Sequence, residues 1–355
     1  MLTLKNNITE MNETATTPQI TLTPKDFVTD QEVRWCPGCG DYSILAQVQK
    51  IMPTLGIPRE NIVIISGIGC SSRFPYYMDT YGMHSIHGRA TAIASGLKAS
   101  RPELSVWIVS GDGDCLSIGG NHTIHLLRRN FDVNLLLFNN EIYGLTKGQY
   151  SPTSEQSKIT KSTPFGSIDH PFNPSALALG ADATFVARSM DRDTKHLQAM
   201  ILRAHAHKGS SFLEIYQNCN IFNDGAFEIF TEKKSKPEEA LFLEHGKPLL
   251  FGTANNKGIK LDGLRPVVVE MSSGMSENDL WIHDEKDFYK AQILTRLFDN
   301  PHIDGHLPRP FGVFYQYERT CYEDVMAKQI EEAISAKGNG DLDKILKGRE
   351  TWSIN

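Results

Sequence analysis

The feature that most constrains this chain is a series of short apolar runs that alternate with helix-like segments. The runs lie at 62–66, 106–110, 133–138, 183–187 and 211–216, and the helix-like segments lie at 41–51, 84–100, 117–129, 175–179 and 193–208. Runs that are apolar on both faces are typical of strands buried in a parallel sheet. Regular strand–helix alternation is typical of doubly wound folds. We therefore predict an α/β fold with a doubly wound, mostly parallel sheet.

The alternation fades after about residue 224, which sets the predicted domain organisation. The polar, Thr- and Asn-rich segment 1–24 is predicted to be a disordered tail. Residues 25–224 are predicted to form the α/β domain. Residues 225–355 are more charged and less periodic, and we interpret them as a C-terminal extension rather than a second enzyme domain.

Composition and charge exclude several classes of partner. With 36 Lys and Arg against 42 Asp and Glu, the net charge is −6, which disfavours broad affinity for nucleic acid. No apolar stretch approaches the roughly 18 residues that a membrane span needs, and the N-terminus lacks the features of a secretory signal. Six cysteines in such a chain do not indicate a disulfide framework, and Cys115 and Cys321 are interpreted as packing residues. We expect a cytoplasmic protein with no nucleic-acid or membrane partner.

Unusual residues follow the predicted strands at the points where those strands end. Gly67-Ile-Gly-Cys70 follows the first strand, Gly111-Asp-Gly-Asp114 the second, Asn139-Asn140 the third and Asn218-Cys219 the last. Because ligands of open α/β sheets bind beyond the carboxyl ends of the strands, these residues are expected to share one site.

Two of these residues suggest a cation site. Asp112 and Asn140 lie 28 residues apart, at the ends of adjacent predicted strands. A carboxylate, a carboxamide and a nearby backbone carbonyl are oxygen ligands of the kind that Mg²⁺ prefers. A dinucleotide-binding G-x-G-x-x-G motif is excluded, because Leu116 occupies the third glycine position. The plainer alternative is a tight strand–helix turn capped by an aspartate.

Four cysteines form a second candidate site. Cys36 and Cys39 are a C-x-x-C pair, which alone fits a zinc site, a redox pair or half of an iron–sulfur site. Cys70 and Cys219 both follow predicted strand ends on the side of the expected ligand. An iron–sulfur cluster needs four thiolates, and these residues supply four.

The strand-end motifs resemble those of known thiamine enzymes. Gly111-Asp-Gly followed by Asn139-Asn140 resembles the thiamine-diphosphate signature of decarboxylases and transketolases. In that family the aspartate, the second asparagine and a carbonyl two residues later bind magnesium. The resemblance assigns these roles to Asp112, Asn140 and Ile142.

A wider set of motifs limits the resemblance to one group of thiamine enzymes. Over about residues 26–255 the chain resembles the β subunit of 2-oxoacid:ferredoxin oxidoreductases, in particular the 2-oxoglutarate type; the motifs lie at 35–41, 67–73, 87–90, 111–114, 143–149 and 218–220. The implied fold is the diphosphate-binding half of a thiamine enzyme. The implied reaction is the coenzyme A-dependent oxidative decarboxylation of 2-oxoglutarate to succinyl-CoA and CO₂. Electrons would pass through a 4Fe–4S cluster to ferredoxin.

The resemblance also implies site residues. The cluster would be bound by Cys36, Cys39, Cys70 and Cys219. Thiamine diphosphate would be contacted by Ile68, Gly69, Cys70, Ser71, His87, Gly88, Arg89, Ala90, Gly113, Asp114, Gly144 and Leu145. Substrate would be recognised by Arg73, Lys147 and Leu145, since pyruvate-specific relatives tend to carry Asn in place of Leu145 and Gly in place of Lys147.

We expect no second α/β domain in residues 225–355 that could bind the pyrimidine ring of the cofactor. The resemblance places that domain, with its catalytic glutamate, on a separate α subunit, so we expect an αβ or (αβ)₂ assembly. The alternatives are a pyruvate or broad-specificity 2-oxoacid oxidoreductase, a non-oxidative decarboxylase or synthase without a cluster, and a non-catalytic zinc-stabilised binding module.

Overall fold

The chain folds around a sheet of eight strands. The computed structural model describes residues 22–271, 275–298, 306–352 and 354. The strands are β1 (Ile62–Ser66), β2 (Tyr81–His84), β3 (Ser105–Gly111), β4 (Val133–Asn139), β5 (Phe185–Met190), β6 (Ser210–Tyr216), β7 (Ala240–Phe242), β8 (Leu250–Phe251), β9 (Lys257–Asp262), β10 (Arg265–Glu270) and β11 (Arg309–Gln316). In the large sheet the strands run in the order β2-β1-β3-β4-β6-β5-β11-β7, and a smaller sheet runs β10-β9-β8.

Helices cover both faces of the large sheet. They are α1 (Asp41–Ile51), α2 (Ala90–Ser100), α3 (Asp112–Leu116), α4 (Gly120–Arg129), α5 (Pro174–Gly180), α6 (Thr194–Ala206), α7 (Glu228–Thr231), α8 (Lys236–Glu239), α9 (Phe288–Leu294), α10 (Tyr322–Lys337) and α11 (Leu342–Lys347). Alternate residues of each central strand point to opposite faces. Ile64 and Leu136 pack with α1 and α6, whereas Ile65 and Leu135 pack with α2, α4 and α5.

The predicted fold class is confirmed. Strands β1 to β6 pair in parallel throughout, and the antiparallel pairing in this sheet is that of β11 with β5. The central strands β3, β4 and β6 are buried along nearly their whole length, as their apolar runs predict. Apolar burial on both faces therefore holds the sheet at the centre of the domain.

Several predicted boundaries are wrong by a few residues. The helix predicted over 84–100 begins at Ala90, because the preceding residues finish strand β2 and form a turn. The helix predicted over 117–129 begins at Gly120, and the expected turn at Asp112 is the short helix α3. The strand predicted over 183–187 runs from Phe185 to Met190. Strand β2 was not predicted, since its edge position leaves it exposed and mostly without an apolar pattern.

The predicted tail, 1–24, falls outside the described residues except for its last three. Of these, Pro24 opens a 3₁₀ helix, Pro24–Phe27, whose Phe27 is buried. The predicted extension, 225–355, is built into the same sheet as the α/β domain. Strand β11 pairs with β5, and β7 then pairs with β11 at the sheet edge.

A buried ion pair joins two neighbouring strands. Arg188 on β5 and Glu214 on β6 are register partners, and Arg188 Nε lies 2.9 Å from Glu214 Oε2. Both side chains are 1% exposed. Glu214 also accepts hydrogen bonds from Asn139 Nδ2 and Ser175 Oγ. These contacts replace the hydrogen bonds to water that the two charged groups lose on folding.

Removing one member of this pair should destabilise the fold strongly. Arg188→Met leaves a buried carboxylate without its countercharge, so the free energy of unfolding should fall by about 3–5 kcal/mol. Urea denaturation of the chain measures the change. The matched control is Arg101→Met, which breaks an exposed pair with Glu103 and should cost less than about 1 kcal/mol. Equal losses in the two variants would contradict the role given to the buried pair.

Candidate cofactor and metal site

A cleft opens at the carboxyl ends of β1, β3 and β4. The chain runs from β1 outward to β2 and then back across β1 to β3, so the strand order reverses between β1 and β3. Such a reversal leaves a crevice in which ligands of α/β sheets bind. Predicted residues that line the cleft are Ile68, Gly69, Cys70, Ser71, His87, Asp112, Gly113, Asp114, Asn140, Ile142, Gly144 and Leu145.

The carboxylate of Asp114 ties together the loops that form the cleft. Its Oδ1 accepts hydrogen bonds from the backbone N–H of Ile68 at 3.2 Å and of Gly88 at 2.8 Å. Its Oδ2 accepts from Ser110 Oγ at 2.9 Å. His87 Nδ1 lies 3.6 Å from Oδ1. Asp114 therefore fixes the loops after β1 and β2 against the end of β3, so its carboxylate serves to position the cleft.

At two positions in this region a neighbouring side chain lies so close to the backbone that only glycine fits. A Cβ on Gly67 would lie 1.9 Å from Asp114 Oδ2. A Cβ on Gly113 would lie 2.1 Å from the ring of Tyr143, whose hydroxyl donates to the Gly113 carbonyl at 3.1 Å. Both contacts are far shorter than van der Waals distance, so a side chain at either position would push the loops apart.

Asp112 is the buried carboxylate at the base of the cleft. Its Oδ2 accepts hydrogen bonds from Ser151 Oγ at 2.5 Å and Thr153 Oγ1 at 2.6 Å. Burial raises the pKa of Asp112, and the two hydroxyls partly oppose that shift. A bound cation would favour the charged form in the same way, because it supplies the opposite charge that the buried carboxylate lacks.

Asn140 and Ile142 complete a set of oxygen atoms beside Asp112. The side chain of Asn140 is held at both ends, since its Nδ2 donates to Gln217 Oε1 at 2.8 Å and its Oδ1 accepts from the Ile142 N–H at 3.2 Å. All three residues line the same cleft. One carboxylate, one carboxamide and one backbone carbonyl could hold a divalent cation of the Mg²⁺ type.

The thiols of Cys70 and Cys219 converge on the wall of the cleft. A Cβ on Gly144 would lie 3.5 Å from Cys70 Sγ and 3.6 Å from Cys219 Sγ. Gly144 and Cys70 both line the cleft, so these thiols lie directly behind it. The absent side chain of Gly144 leaves a space that faces both sulfur atoms.

The C-x-x-C turn is anchored beside these thiols. The N–H of Cys39 donates to the Cys36 carbonyl at 3.0 Å, and Gln217 Nε2 donates to Cys39 Sγ at 3.1 Å. Trp35 Nε1 donates to the Cys70 carbonyl at 2.6 Å, which links the turn to the cleft loop. Cys36 is exposed, whereas Cys219 is buried. The four thiols therefore extend from the cleft wall to the surface.

Burial makes two of these thiols, those of Cys39 and Cys70, harder to ionise. Burial, aided by the charge of the nearby Asp41 and by Cys219, raises the pKa of Cys70 to about 12. Burial also raises the pKa of Cys39, with Asp41 adding to the shift. The thiolate is the metal ligand, so a metal must displace these protons when it binds. In the described part of the chain, no three His, Cys, Asp or Glu side chains converge closely enough to hold a single ion.

Five residues predicted to contact thiamine diphosphate or substrate do not line the cleft; they are Arg73, Gly88, Arg89, Ala90 and Lys147. Arg73 Nε donates to Tyr77 Oη at 2.9 Å, and Arg89 Nη1 donates to backbone carbonyls of its own turn and of Ile118. Lys147 is exposed in a turn in which its N–H donates to the Gly144 carbonyl at 3.0 Å. The roles assigned to these residues remain predictions.

The hydroxyl groups that surround Asp112 were not predicted from the sequence. Ser151 and Thr153 are buried, and Thr153 Oγ1 also donates to Asn139 Oδ1 at 2.9 Å. Tyr143 was quoted as part of a motif but was not assigned to the site. The available signal is the cluster of Ser and Thr directly after Tyr150.

Loss of the Asp114 carboxylate should loosen the cleft loops. Asp114→Ala leaves the N–H groups of Ile68 and Gly88 without partners, so we expect the free energy of unfolding to fall by about 2–5 kcal/mol. Asp114→Asn keeps one oxygen acceptor and should lose less. Urea denaturation measures the stability, and hydrogen exchange reports the two amides directly. If both amides stay protected in Asp114→Ala, the carboxylate does not hold these loops.

All the residues that line the cleft fall within a segment that matches a known protein family. Residues 67–215 match the family described as "Thiamine pyrophosphate enzyme, C-terminal TPP binding domain". The chain is 51% identical over 334 residues to "2-oxoglutarate oxidoreductase subunit KorB" of Mycobacterium tuberculosis, a match that covers 93% of this chain and 88% of that protein. It is 45% identical over 272 residues to "2-oxoacid:ferredoxin oxidoreductase 1, subunit beta" of Aeropyrum pernix, covering 75% of this chain and 84% of the relative.

A solved structure agrees with these relatives. The chain superposes with a TM-score of 0.72 and 32% identity on "2-oxoglutarate:ferredoxin oxidoreductase from Magnetococcus marinus with 2-oxoglutarate, coenzyme A and succinyl-CoA bound". The superposition covers 94% of this chain and 98% of that chain. The sequence-based resemblance is therefore confirmed, and so is the thiamine-diphosphate-binding fold. The chain belongs to the β subunits of 2-oxoacid:ferredoxin oxidoreductases, which are subunits of a multi-subunit oxidoreductase.

Proposed function

We propose that this chain is the β subunit of a 2-oxoglutarate:ferredoxin oxidoreductase. The complex would convert 2-oxoglutarate and coenzyme A to succinyl-CoA and CO₂, and it would pass electrons through a 4Fe–4S cluster to ferredoxin. The observation that carries this proposal is that the thiols of Cys70 and Cys219 lie beside the cofactor cleft. Cys70 and Gly144 line the cleft, and Gly144 also faces the thiols of Cys70 and Cys219.

The residues of the cleft fit a diphosphate with a divalent cation. The buried Asp112 and Asp114 would repel an anionic diphosphate unless a cation lay between them. Asp112, Asn140 and the carbonyl of Ile142 would hold Mg²⁺. Ser71 and Gly113 line the same cleft. When bound, thiamine diphosphate supplies the electron sink for loss of CO₂ from a 2-oxoacid.

The four thiols fit a cluster better than a single zinc ion. Zinc draws its thiolates to about 2.3 Å from one centre, whereas a cluster holds its four thiolates apart. Cys70 and Cys219 flank the space left by Gly144, and Cys36 reaches the surface. Cys36, Cys39, Cys70 and Cys219 would therefore hold one cluster between the cofactor and an external ferredoxin.

The loop after Tyr143 is positioned to recognise the substrate. Leu145 lines the cleft and is 52% exposed, and Lys147 follows it in the same turn. Arg73 lies in the 3₁₀ helix that begins at Ser71, directly after the cleft residue Cys70. A dicarboxylate substrate benefits from a second cation beyond the one that its first carboxylate needs. These residues favour 2-oxoglutarate over pyruvate.

The remaining half of the active site would come from a partner. In the described residues no glutamate lines the cleft, and no second doubly wound domain is present. An α subunit would supply the pyrimidine-binding domain and the catalytic glutamate, giving an αβ or (αβ)₂ assembly. All six cysteines are free, which suits the reducing cytoplasm in which we place the complex. Within the described ranges no helix has the length and apolar character needed to cross a membrane.

Replacement of the proposed cluster ligands tests this function most directly. Serine at Cys36, Cys39, Cys70 or Cys219 should lower the iron content of the assembled complex and reduce the absorbance that dithionite bleaches, because serine replaces a thiolate ligand with a poorer one. Iron analysis and visible spectra of anaerobically purified protein measure both effects.

Cys115→Ser and Cys321→Ser are the matched controls, since both thiols are buried and neither lines the cleft. Both variants should retain iron. A colourless wild-type complex that contains zinc would replace the oxidoreductase proposal with the zinc-stabilised alternative. Iron loss in Cys115→Ser but not in Cys219→Ser would refute the ligand set.

A neutral residue at position 147 should weaken recognition of the dicarboxylate. Lys147 has a φ of +75°, so Lys147→Asn removes the charge at a position where asparagine tolerates the backbone. A charge-assisted bond to a substrate carboxylate contributes roughly 1.5–3 kcal/mol. We therefore expect kcat/KM for 2-oxoglutarate to fall by roughly ten- to a hundredfold.

Steady-state assays of the α-containing complex with 2-oxoglutarate and with pyruvate measure this effect. Any turnover of pyruvate should change little, because it has no second carboxylate. Lys25→Asn, an exposed lysine on the Pro24–Phe27 helix, is the control for loss of charge. Equal losses for both substrates in Lys147→Asn would remove the support for a dicarboxylate.

A further inference from the structure

The segment between β4 and α5 contains a loop that is closed by its own hydrogen bonds. We call residues 157–168 the 157–168 loop. The N–H of Ser157 donates to the Ser167 carbonyl at 2.8 Å, and the N–H of Ser167 donates to the Lys158 carbonyl at 3.0 Å. Thr160 and Thr163 bond to each other across the tip through their backbones and hydroxyls. These contacts define the shape of the loop without any apolar core.

The apolar side chains of this loop point outward. Phe165 is 100% exposed, Ile168 is 87% exposed and Ile159 is 71% exposed. Clusters of exposed apolar residues mark interaction sites, and aromatic residues are enriched at the centres of protein interfaces. Polar contacts already fix the loop. A partner could therefore bury these side chains without the entropy cost of ordering the backbone on binding.

The base of the loop is bonded to the cofactor site. Lys158 Nζ donates to Asn223 Oδ1. Asn223 Nδ2 donates to the Asn140 carbonyl at 2.9 Å, and the Asn223 N–H donates to the Cys219 carbonyl at 2.9 Å. Asn223 therefore links the loop to Asn140, a proposed magnesium ligand, and to Cys219, a proposed cluster ligand.

The same edge of the sheet carries an apolar rim around the open cleft. Ile118 and Leu145 both line the cleft, and they are 56% and 52% exposed. The chain that completes the cofactor site must cover this rim. The 157–168 loop lies in the connection between β4 and α5, and Asn223 joins its Lys158 to Asn140, a residue that lines the cleft.

We propose that the 157–168 loop is a docking element for the partner subunit that completes the cofactor cleft. This inference rests on the proposed function, because it takes the second half of the cleft from another chain. The partner surface should present an apolar socket for Phe165, Ile168 and Ile159. A second copy of this chain is disfavoured as the partner. It would bring a cleft that lacks the same half of the cofactor site, and it would leave Ile118 and Leu145 uncovered.

Photo-crosslinking in the assembled complex tests the identity of the occupant. A benzophenone amino acid in place of Phe165 should crosslink to the α subunit, giving an adduct of one α and one β chain by mass spectrometry. The same probe in place of Leu264, which is 81% exposed in the turn between β9 and β10, is the control and should give no such adduct. A β–β adduct, or no adduct at position 165, would overturn the proposal.

Affinity gives an independent measure. Phe165→Ser combined with Ile168→Ser should weaken association of α and β by at least about tenfold, since two large apolar side chains no longer contribute burial. Leu264→Ser should leave the dissociation constant unchanged. Unchanged affinity in the loop variant would overturn the docking role even if the complex oxidises 2-oxoglutarate. A wild-type complex that forms normally but does not turn over 2-oxoglutarate would instead refute the proposed function and leave the docking result intact.

Discussion

The whole cleft depends on one carboxylate that contacts three chain segments. Asp114 lies in α3, which directly follows β3, and its carboxylate holds the loops that follow β1 and β2 through backbone N–H groups. Each of those loops supplies residues to the cleft, so their relative positions set where a cofactor can lie. The arrangement needs glycine at position 67, because the carboxylate occupies the volume of a side chain there. A cofactor that binds here meets a surface that is already organised.

Charge explains why this site is built for positively charged occupants. Burial raises the pKa of the Asp112 carboxyl, and it raises the pKa of the Cys70 thiol to about 12. Both groups are better ligands when ionised. The Cys70 thiol holds its proton at neutral pH, so binding of a metal at this residue would release a proton to the solvent.

Much of the site could be predicted because parallel strands bring their carboxyl ends together. Cys70, Asp112 and Asn140 are far apart in sequence, yet each follows a strand, and that rule places them at one edge. Thr153 could not be found this way, because it comes from a loop whose path no periodicity defines. Strand β11 was missed for another reason, since it joins the sheet from a region where the strand–helix alternation has ended.

Lys147 adopts a backbone conformation that suits glycine better than lysine. A φ of +75° costs a side-chain-bearing residue about 1 kcal/mol or more, so the chain accepts local strain to present a charge at this turn. Replacement by glycine would relieve that strain while removing the charge. Under the proposed role of Lys147 in substrate recognition, a change of substrate range through this position would carry no folding penalty, so selection on the available 2-oxoacid would meet little constraint from stability.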